Sequence, residues 1–178
     1  MFQIALIGTA AVSLLSAPLA FAGPVDSGKS GRAIYDFNGD GKSDAAATKV
    51  SGNNVGLVRV LKIDGANPLI GSSFPTVVTN GFAVSGAGDF TGNGQAGLFT
   101  RKASGTNTGI AKIVNLDAAG DVPAGSTFVT VPTNFSLIGI DDVDNNGVDD
   151  LIYIKTAGGN EGLLRVYLMD TDSTVLVS

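Results

Sequence analysis

Closely spaced aspartate and asparagine side chains at residues 36–44 are the first groups in this sequence that could do chemistry. Oxygen-bearing side chains stand at positions 1, 3, 5 and 9 of this segment, and glycines at positions 4 and 6 allow a tightly wrapped backbone. Calcium takes about six to eight oxygen ligands from carboxylates, carbonyls and water. The segment therefore predicts a calcium loop with the ligands Asp36, Asn38, Asp40, the backbone carbonyl of Lys42, and Asp44.

This loop returns at residues 89–97 and 142–150, each time 53 residues after the previous one. We call the three segments loop one, loop two and loop three. Loop three keeps its carboxylates and predicts a second calcium site, whereas loop two keeps one carboxylate and is expected to bind calcium weakly or not at all. The predicted ligands are Asp142, Asp144, Asn146, Val148 through its carbonyl and Asp150 in loop three, and Asp89, Thr91, Asn93 and Gln95 in loop two.

A metal-free turn is the simplest alternative for these loops, because Asp, Asn and Gly also favour Asx-turns. Converging carboxylates repel one another without a cation, which favours metal in loops one and three. A helical calcium loop needs a carboxylate at position 12, where this sequence has Ala47, Thr100 and Tyr153. The loops are therefore expected to connect strands rather than helices.

Short apolar, β-branched segments separated by Gly- and Asn-rich turns flank every loop, which predicts strands. The third strand of each unit is apolar on both faces, which indicates a sheet packed on both sides. A repeat near 50 residues indicates an array of units that bury their faces against one another. Predicted strands are 29–33, 82–86 and 135–139 before the loops, then 45–50, 98–103 and 151–156, then 56–63, 109–116 and 162–169, and last 76–79, 127–131 and 174–177.

These units resemble the FG-GAP or VCBS repeats, the blades of integrin alpha-subunit propellers and of many bacterial surface proteins. Residues 82–90 carry the resemblance best, and loop one gives the cleanest metal pattern. The resemblance implies an all-β fold of three four-stranded antiparallel blades of about 53 residues, calcium in the loops, an extracellular setting and binding rather than catalysis. The units span about residues 30–82, 83–135 and 136–178.

Three blades are fewer than the roughly four to eight of a closed propeller. We therefore expect a partial propeller that is completed by oligomerisation, for which a head-to-tail homodimer with six blades is the favoured form. The alternative is a compact threefold β-prism or trefoil-like body.

The first 22 residues have the pattern of a secretory signal peptide. Residues 4–15 form an apolar run that is short for a membrane span, and Ala20, Phe21 and Ala22 form a small-x-small cleavage site. No Lys or Arg precedes the run, so a retained anchor is the alternative. Residues 23–29 match a phosphate-loop pattern together with Ser30, but a strand-like segment follows instead of a helix, which favours a flexible N-terminus. The predicted location is extracellular or periplasmic, without a stable membrane span after processing.

Two basic positions also recur in register, at Lys49, Lys102 and Lys155 and at Arg59, Lys112 and Arg165. Equivalent cations on each unit could bind acidic glycans or carboxylate groups. The favoured interpretation is that they solvate strand ends and protect sheet edges.

The composition argues against catalysis and against nucleic acid as a partner. The chain has no His and no Cys, so the commonest general base and the thiol nucleophile are absent, and its net charge is −5. Glu161 is the only glutamate and has no evident partner carboxylate for glycoside hydrolysis.

We therefore predict a secreted, calcium-binding, non-catalytic repeat domain for adhesion or recognition of an extracellular protein or glycan. The alternatives are a small carbohydrate-binding lectin, which the absence of Trp disfavours, and a structural module of an extracellular or envelope assembly.

Cleavage after Ala22 is expected when the full chain is expressed in a secreting host, because the small-x-small site ends the apolar run. Intact-mass measurement of the exported protein should give a chain that begins at Gly23. An exported chain that still begins at Met1 would show that this segment is not a cleaved signal peptide.

Overall fold

A computed structural model describes residues 36–48, 57–64, 67–73, 82–102, 109–121, 123–173 and 175–177. Within these ranges every regular element is a β-strand and every ladder is antiparallel. The described residues contain no helix long and apolar enough to cross a bilayer. The strands are β1 (Ala45–Thr48), β2 (Val58–Asp64), β3 (Asn67–Ser73), β4 (Phe82–Gly88), β5 (Gly97–Lys102), β6 (Ile110–Leu116), β7 (Pro123–Thr130), β8 (Phe135–Asp141), β9 (Asp150–Lys155), β10 (Leu164–Met169) and β11 (Val175–Val177).

Each unit forms its own sheet, in which neighbours along the chain are neighbours in space. Unit one contains β1–β2–β3, unit two contains β4–β5–β6–β7, and unit three contains β8–β9–β10–β11. The predicted all-β fold of blade-like repeats is thereby confirmed. The predicted first strand of unit one, at residues 29–33, lies outside the described residues, as do the predicted signal peptide and the phosphate-loop pattern.

The last strand of unit two begins earlier than the sequence suggested. It was expected at residues 127–131, but β7 begins at Pro123 and pairs with β6 from Leu116↔Pro123 to Ile110↔Thr130. The Gly120 amide donates to the Asp117 carbonyl at 2.8 Å, which forms a tight turn directly after β6. This turn allows β7 to pair with β6 soon after β6 ends. In unit one the corresponding strand is β3, whereas the expected strand at residues 76–79 lies outside the described residues.

The two-sided apolar strands are explained by the stacking of units. In β5, Leu98 belongs to a cluster shared with unit one, whereas its neighbour Phe99 belongs to a cluster shared with unit three. In β6, Val114 likewise belongs to the cluster shared with unit one, and Ile113 to the cluster shared with unit three. Successive side chains of a strand point to opposite faces, so the middle sheet buries both of its faces against its neighbours. Each junction between units is thus a hydrophobic core.

A backbone hydrogen bond between loops recurs at both junctions. The Ala96 amide, at position 8 of loop two, donates to the Asp36 carbonyl, at position 1 of loop one, at 2.6 Å. The Asp149 amide donates to the Asp89 carbonyl at 2.8 Å from the same pair of positions. Because both partners are backbone groups, the bond fixes the spacing between units whatever the side chain at position 8.

The turn after the third strand contacts the preceding loop at both junctions, with different chemistry. Gly120 and Ser173 are equivalent in register and both have left-handed backbones, with φ of 68° and 64°. A Cβ at Gly120 would lie 2.3 Å from the Phe37 carbonyl oxygen. At the next junction the Ser173 hydroxyl donates to the equivalent carbonyl, that of Phe90, at 2.9 Å. The first junction is therefore too close for any side chain at this position.

Replacing Gly120 with alanine should destabilise the protein by about 2–4 kcal/mol, because the added methyl group meets a backbone oxygen and the left-handed φ is strained. Urea unfolding measures this cost. The matched control is Gly125→Ala on the neighbouring β7, where an added Cβ meets no described atom within 4 Å and the expected change is about 0.5 kcal/mol or less. Equal unfolding free energies for the two variants would contradict the close approach of Gly120 to unit one.

Candidate metal centre

All three loops share the backbone shape that their glycines predicted. Position 6 has positive φ in each loop, at Gly41 (80°), Gly94 (84°) and Gly147 (93°). Position 4 also has positive φ throughout, and in loop three it is Asn145, at 62°. Asparagine tolerates the left-handed region better than other side chains do, so loop three keeps the shape without glycine at position 4.

The carboxylate at position 1 holds each loop in its wrapped form. One Asp36 oxygen accepts the position-6 amide of Gly41 at 2.7 Å. Asp89 and Asp142 accept the equivalent amide at 2.6 Å and 2.9 Å. In these charge-assisted hydrogen bonds the loop amides point towards the carboxylate at position 1. The side chain of that aspartate therefore stabilises the wrapped shape of its own loop.

Aspartate at position 9 connects loops one and three to their own sheets. The two oxygens of Asp150 accept from the amide of Val143, in the loop, at 2.9 Å and from that of Met169, at the end of β10, at 2.8 Å. Asp44 makes the equivalent two bonds at 3.0 Å and 2.8 Å. Burial raises the pKa of both carboxyls, the two amides lower it, and the other acidic side chains of the loop raise it again.

Loop three brings three carboxylates together. Oxygens of Asp142, Asp144 and Asp150 all lie within 4.8 Å of one another, which is the only such acidic group among the described residues. A carboxylate oxygen has two lone pairs, so one that accepts an amide hydrogen bond can still bind a cation. Asn146 is held beside them, since its side-chain amide donates to the Met169 carbonyl at 3.0 Å. These oxygen donors fit a hard divalent cation.

Loop one also has three carboxylates and one asparagine at these positions, but Asn and Asp are exchanged at positions 3 and 5. The Asn38 amide donates to one oxygen of Asp40 at 3.3 Å, and the Lys42 backbone amide donates to the other at 2.9 Å. Its carboxylates, those of Asp36, Asp40 and Asp44, do not form an equally close group among the described residues. Calcium binding by loop one stays a prediction.

Loop two forms its turn around one carboxylate. Asp89 accepts hydrogen bonds from both the backbone amide and the hydroxyl of Thr91, at 3.1 Å and 3.3 Å. Position 9 is Gly97, so loop two lacks the second carboxylate, and a Cβ there would lie 3.1 Å from the Val114 carbonyl oxygen, closer than side chains usually approach. The predicted ligand Asn93 instead accepts the Gln95 backbone amide at 2.8 Å.

The Gln95 side chain has a role that the sequence did not reveal. Its amide nitrogen lies 2.5 Å from the carbonyl oxygens of both Phe37 and Asp117, so it bridges units one and two. Lys62 and Asp121 add an ion pair at 2.5 Å across the same junction. In the sequence, these residues are marked only by their position near the repeated loops and turns. That position indicates a contact between units only when the stacking of the units is known.

Three of the six recurring basic residues lie over aromatic rings of their own sheets. Lys102 lies 5.9 Å from the centre of the Phe82 ring, and Arg165 lies 5.0 Å from that of Phe135. Lys112 makes a similar contact with Phe128 at 5.7 Å. Of the other three, the Lys155 ammonium donates to the Gly159 carbonyl, Arg59 is exposed, and Lys49 lies outside the described residues. Three of the six recurring cations thus pack on rings of their own sheets, a role that the sequence did not predict.

A buried hydroxyl in the core between units two and three was also not expected. Among the described residues, the Tyr153 hydroxyl is the one buried side-chain polar atom without a hydrogen-bond partner. Its ring packs against that of Tyr167, with centroids 5.4 Å apart, and burial raises the pKa of the phenol well above its ordinary value. Tyr153 therefore acts as a core residue in its neutral form.

Comparison with known proteins does not identify the chain: no protein-family model matches it, and no curated protein sequence is significantly similar to it.

Asp150→Asn should destabilise the metal-free protein by about 2 kcal/mol, because the new NH2 group would face a backbone amide that now donates to the carboxylate. Asp144→Asn is the matched control. It removes the same charge from the same cluster, but Asp144 is exposed and an asparagine oxygen can keep its bond from the Asn146 amide. Its expected cost is about 0.5 kcal/mol or less.

Urea unfolding in the presence of a chelator measures both variants. Both variants relieve repulsion within the loop, and Asp150→Asn also removes the desolvation cost of a buried charge. A lower stability of Asp150→Asn must therefore come from the loss of its hydrogen bonds. Equal stabilities would contradict the structural role of this carboxylate.

Proposed function

We propose that this chain is a non-catalytic, calcium-binding repeat domain that works outside the cytoplasm in adhesion or recognition. The observation that carries the proposal is the convergence of Asp142, Asp144 and Asp150 in loop three, with oxygens within 4.8 Å of one another. Three carboxylates held this close gain most from a shared cation, because their mutual repulsion is replaced by attraction.

Calcium is the cation that suits these donors best. The sequence has no His and no Cys, so the nitrogen and sulfur ligands typical of zinc and copper sites are absent. The oxygens of loop three come from a nine-residue turn whose backbone shape is set by its own hydrogen bonds. Calcium accepts such irregular oxygen sets, whereas magnesium requires near-octahedral geometry and keeps several waters.

A cation in loop three would act mainly on stability and rigidity. The loop lies at the junction of units two and three, where the Asp149 amide donates to the Asp89 carbonyl and the Asp149 carboxylate accepts the Asp89 amide at 2.6 Å. Bound calcium would neutralise the buried Asp150 and hold the loop that carries Asp149. Calcium would thereby stiffen the stack of sheets and the surface that they present.

Recognition is proposed from the character of the chain as a whole. The repeat resemblance implies binding, and the absence of His and Cys removes the commonest catalytic groups. The apolar run at residues 4–15 supports export. The proposed partner is an extracellular protein or a glycan. An array of glycans together with pull-down of surface proteins separates these two, and binding that disappears with chelator supports a calcium-dependent surface.

Calcium should raise the melting temperature of the protein. Extracellular calcium modules bind in the range of about 0.1–1 mM, and calcium at tenfold excess over the dissociation constant adds about 1.4 kcal/mol for each site. Calorimetric titration with calcium gives the number of sites, and thermal melting with calcium and with chelator gives their effect on stability.

Three variants assign the sites. Asp144→Asn should remove the loop-three site, Asp40→Asn tests whether loop one contributes a second, and Glu161→Gln removes an exposed charge far from the loops as the matched control. The proposal is contradicted if calcium leaves the wild-type melting temperature unchanged and its calorimetric titration shows no heat of binding.

A further inference from the structure

The outer face of unit three exposes apolar residues at positions that are buried in the other two units. Position 2 of the loop is Phe37 in unit one and Phe90 in unit two, and both are 0% exposed under the unit that follows. The equivalent Val143 in unit three is 51% exposed. The same chemical type thus stands at the same place, and no sheet formed by the described residues covers it.

The third strands show the same contrast. Val58 of unit one and Ala111 of unit two are each 0% exposed, whereas the equivalent Leu164 on β10 is 58% exposed. Val143 and Leu164 thus leave this face of unit three with exposed apolar side chains at two positions that the other units bury. Grouped apolar exposure on one sheet is uncommon for a soluble surface and marks a contact site.

Unit one carries the complementary half of a junction on its own outer face. Leu61 has the register of Val114 and Tyr167, which are buried in units two and three, where they face the preceding unit. Leu61 itself is only half-buried. Ile63 is also half-buried, although its equivalents, Leu116 and Met169, are buried. Unit one therefore presents the face that, in later units, packs onto a preceding sheet.

We propose that a second copy of this chain docks the outer face of its unit one onto the outer face of unit three. The contact would repeat the junction that the chain already makes twice within itself, with Val143 and Leu164 covered by Leu61 and Ile63 of the partner. Ser43, which is exposed, stands at position 8, the position of the amide donors Ala96 and Asp149. Since that bond is a backbone bond, serine can donate it as well as alanine or aspartate.

A second copy fits this face better than an unrelated protein does, because the two faces are halves of one repeating junction. Every copy carries both halves, so unit three of each chain can receive unit one of the other. Two such contacts, related by a twofold axis, close a ring of six units and leave neither apolar face exposed. The argument rests on register and apolar burial, and it stands whether or not the loops bind calcium.

Light scattering and sedimentation of the purified full chain at micromolar concentration test the proposal, in calcium and in chelator. The wild-type protein should have twice the mass of one chain. Leu164→Glu places a carboxylate in the contact and should halve the mass, and Leu61→Glu should do the same from the other side. Phe128→Glu is the matched control, since Phe128 is 67% exposed but lies on β7 of unit two, away from both outer faces, and it should keep the wild-type mass.

Thermal unfolding of each variant shows that it remains folded, and Leu164 is exposed enough for glutamate to leave the single chain intact. A wild-type dimer in either buffer, dissociated by both substitutions, supports the head-to-tail contact. A wild-type monomer in both buffers overturns it. The proposal is also overturned if Leu164→Glu is monomeric while Leu61→Glu, still folded, remains a dimer. The contact would then join two copies of unit three.

Discussion

The fold depends on the contact between each loop and the unit that follows. The middle sheet buries apolar side chains on both of its faces, so a single unit of this kind would leave an apolar face in water. The amides of Ala96 and Asp149 set the spacing of successive sheets by donating to the carbonyls of Asp36 and Asp89. Around that fixed spacing the side chains differ: Gln95 bridges the first junction, and Ser173 fills the second. The same backbone contact therefore recurs at both junctions although the side chains that accompany it differ.

The aspartates of the loops have a structural role that does not depend on their proposed metal binding. The carboxylate at position 1 accepts amides of the loop, and that at position 9 joins the loop to the end of the third strand, so both hold the loop in shape without a cation. That arrangement buries Asp150 beside two other carboxylates, which raises its pKa and makes the ionised form costly. A calcium ion would offset this cost. The structural and the proposed metal-binding roles of loop three are therefore two consequences of one arrangement.

Much of the fold could be predicted from the 53-residue register. The strands β5, β6, β9 and β10 begin and end within two residues of their expected bounds, and the positive φ at positions 4 and 6 follows from the glycines of the loops. The early start of β7 was missed because Pro123 and the Gly- and Ser-containing residues after it resemble a turn. The difference between loops one and three was also missed. Asn and Asp are exchanged at positions 3 and 5 of the two loops, and the effect of that exchange depends on side-chain placement. The Asn38 amide donates to Asp40 in loop one, whereas in loop three the Asn146 amide donates to the Met169 carbonyl. Contacts between units, such as those of Gln95 and Ser173, depend on how the sheets stack, which a repeat pattern alone does not specify.

Amide hydrogen exchange at Ala96 and Asp149, followed by NMR, tests the central role of the loop-to-loop bonds most directly. Neither residue lies in a strand, yet each donates to the preceding unit at the centre of a junction. If these bonds hold the units together, both amides exchange only when the units separate, as slowly as the central amides of β5 and β9. Exchange at the rate of an open loop, while β5 and β9 stay protected, would contradict this account.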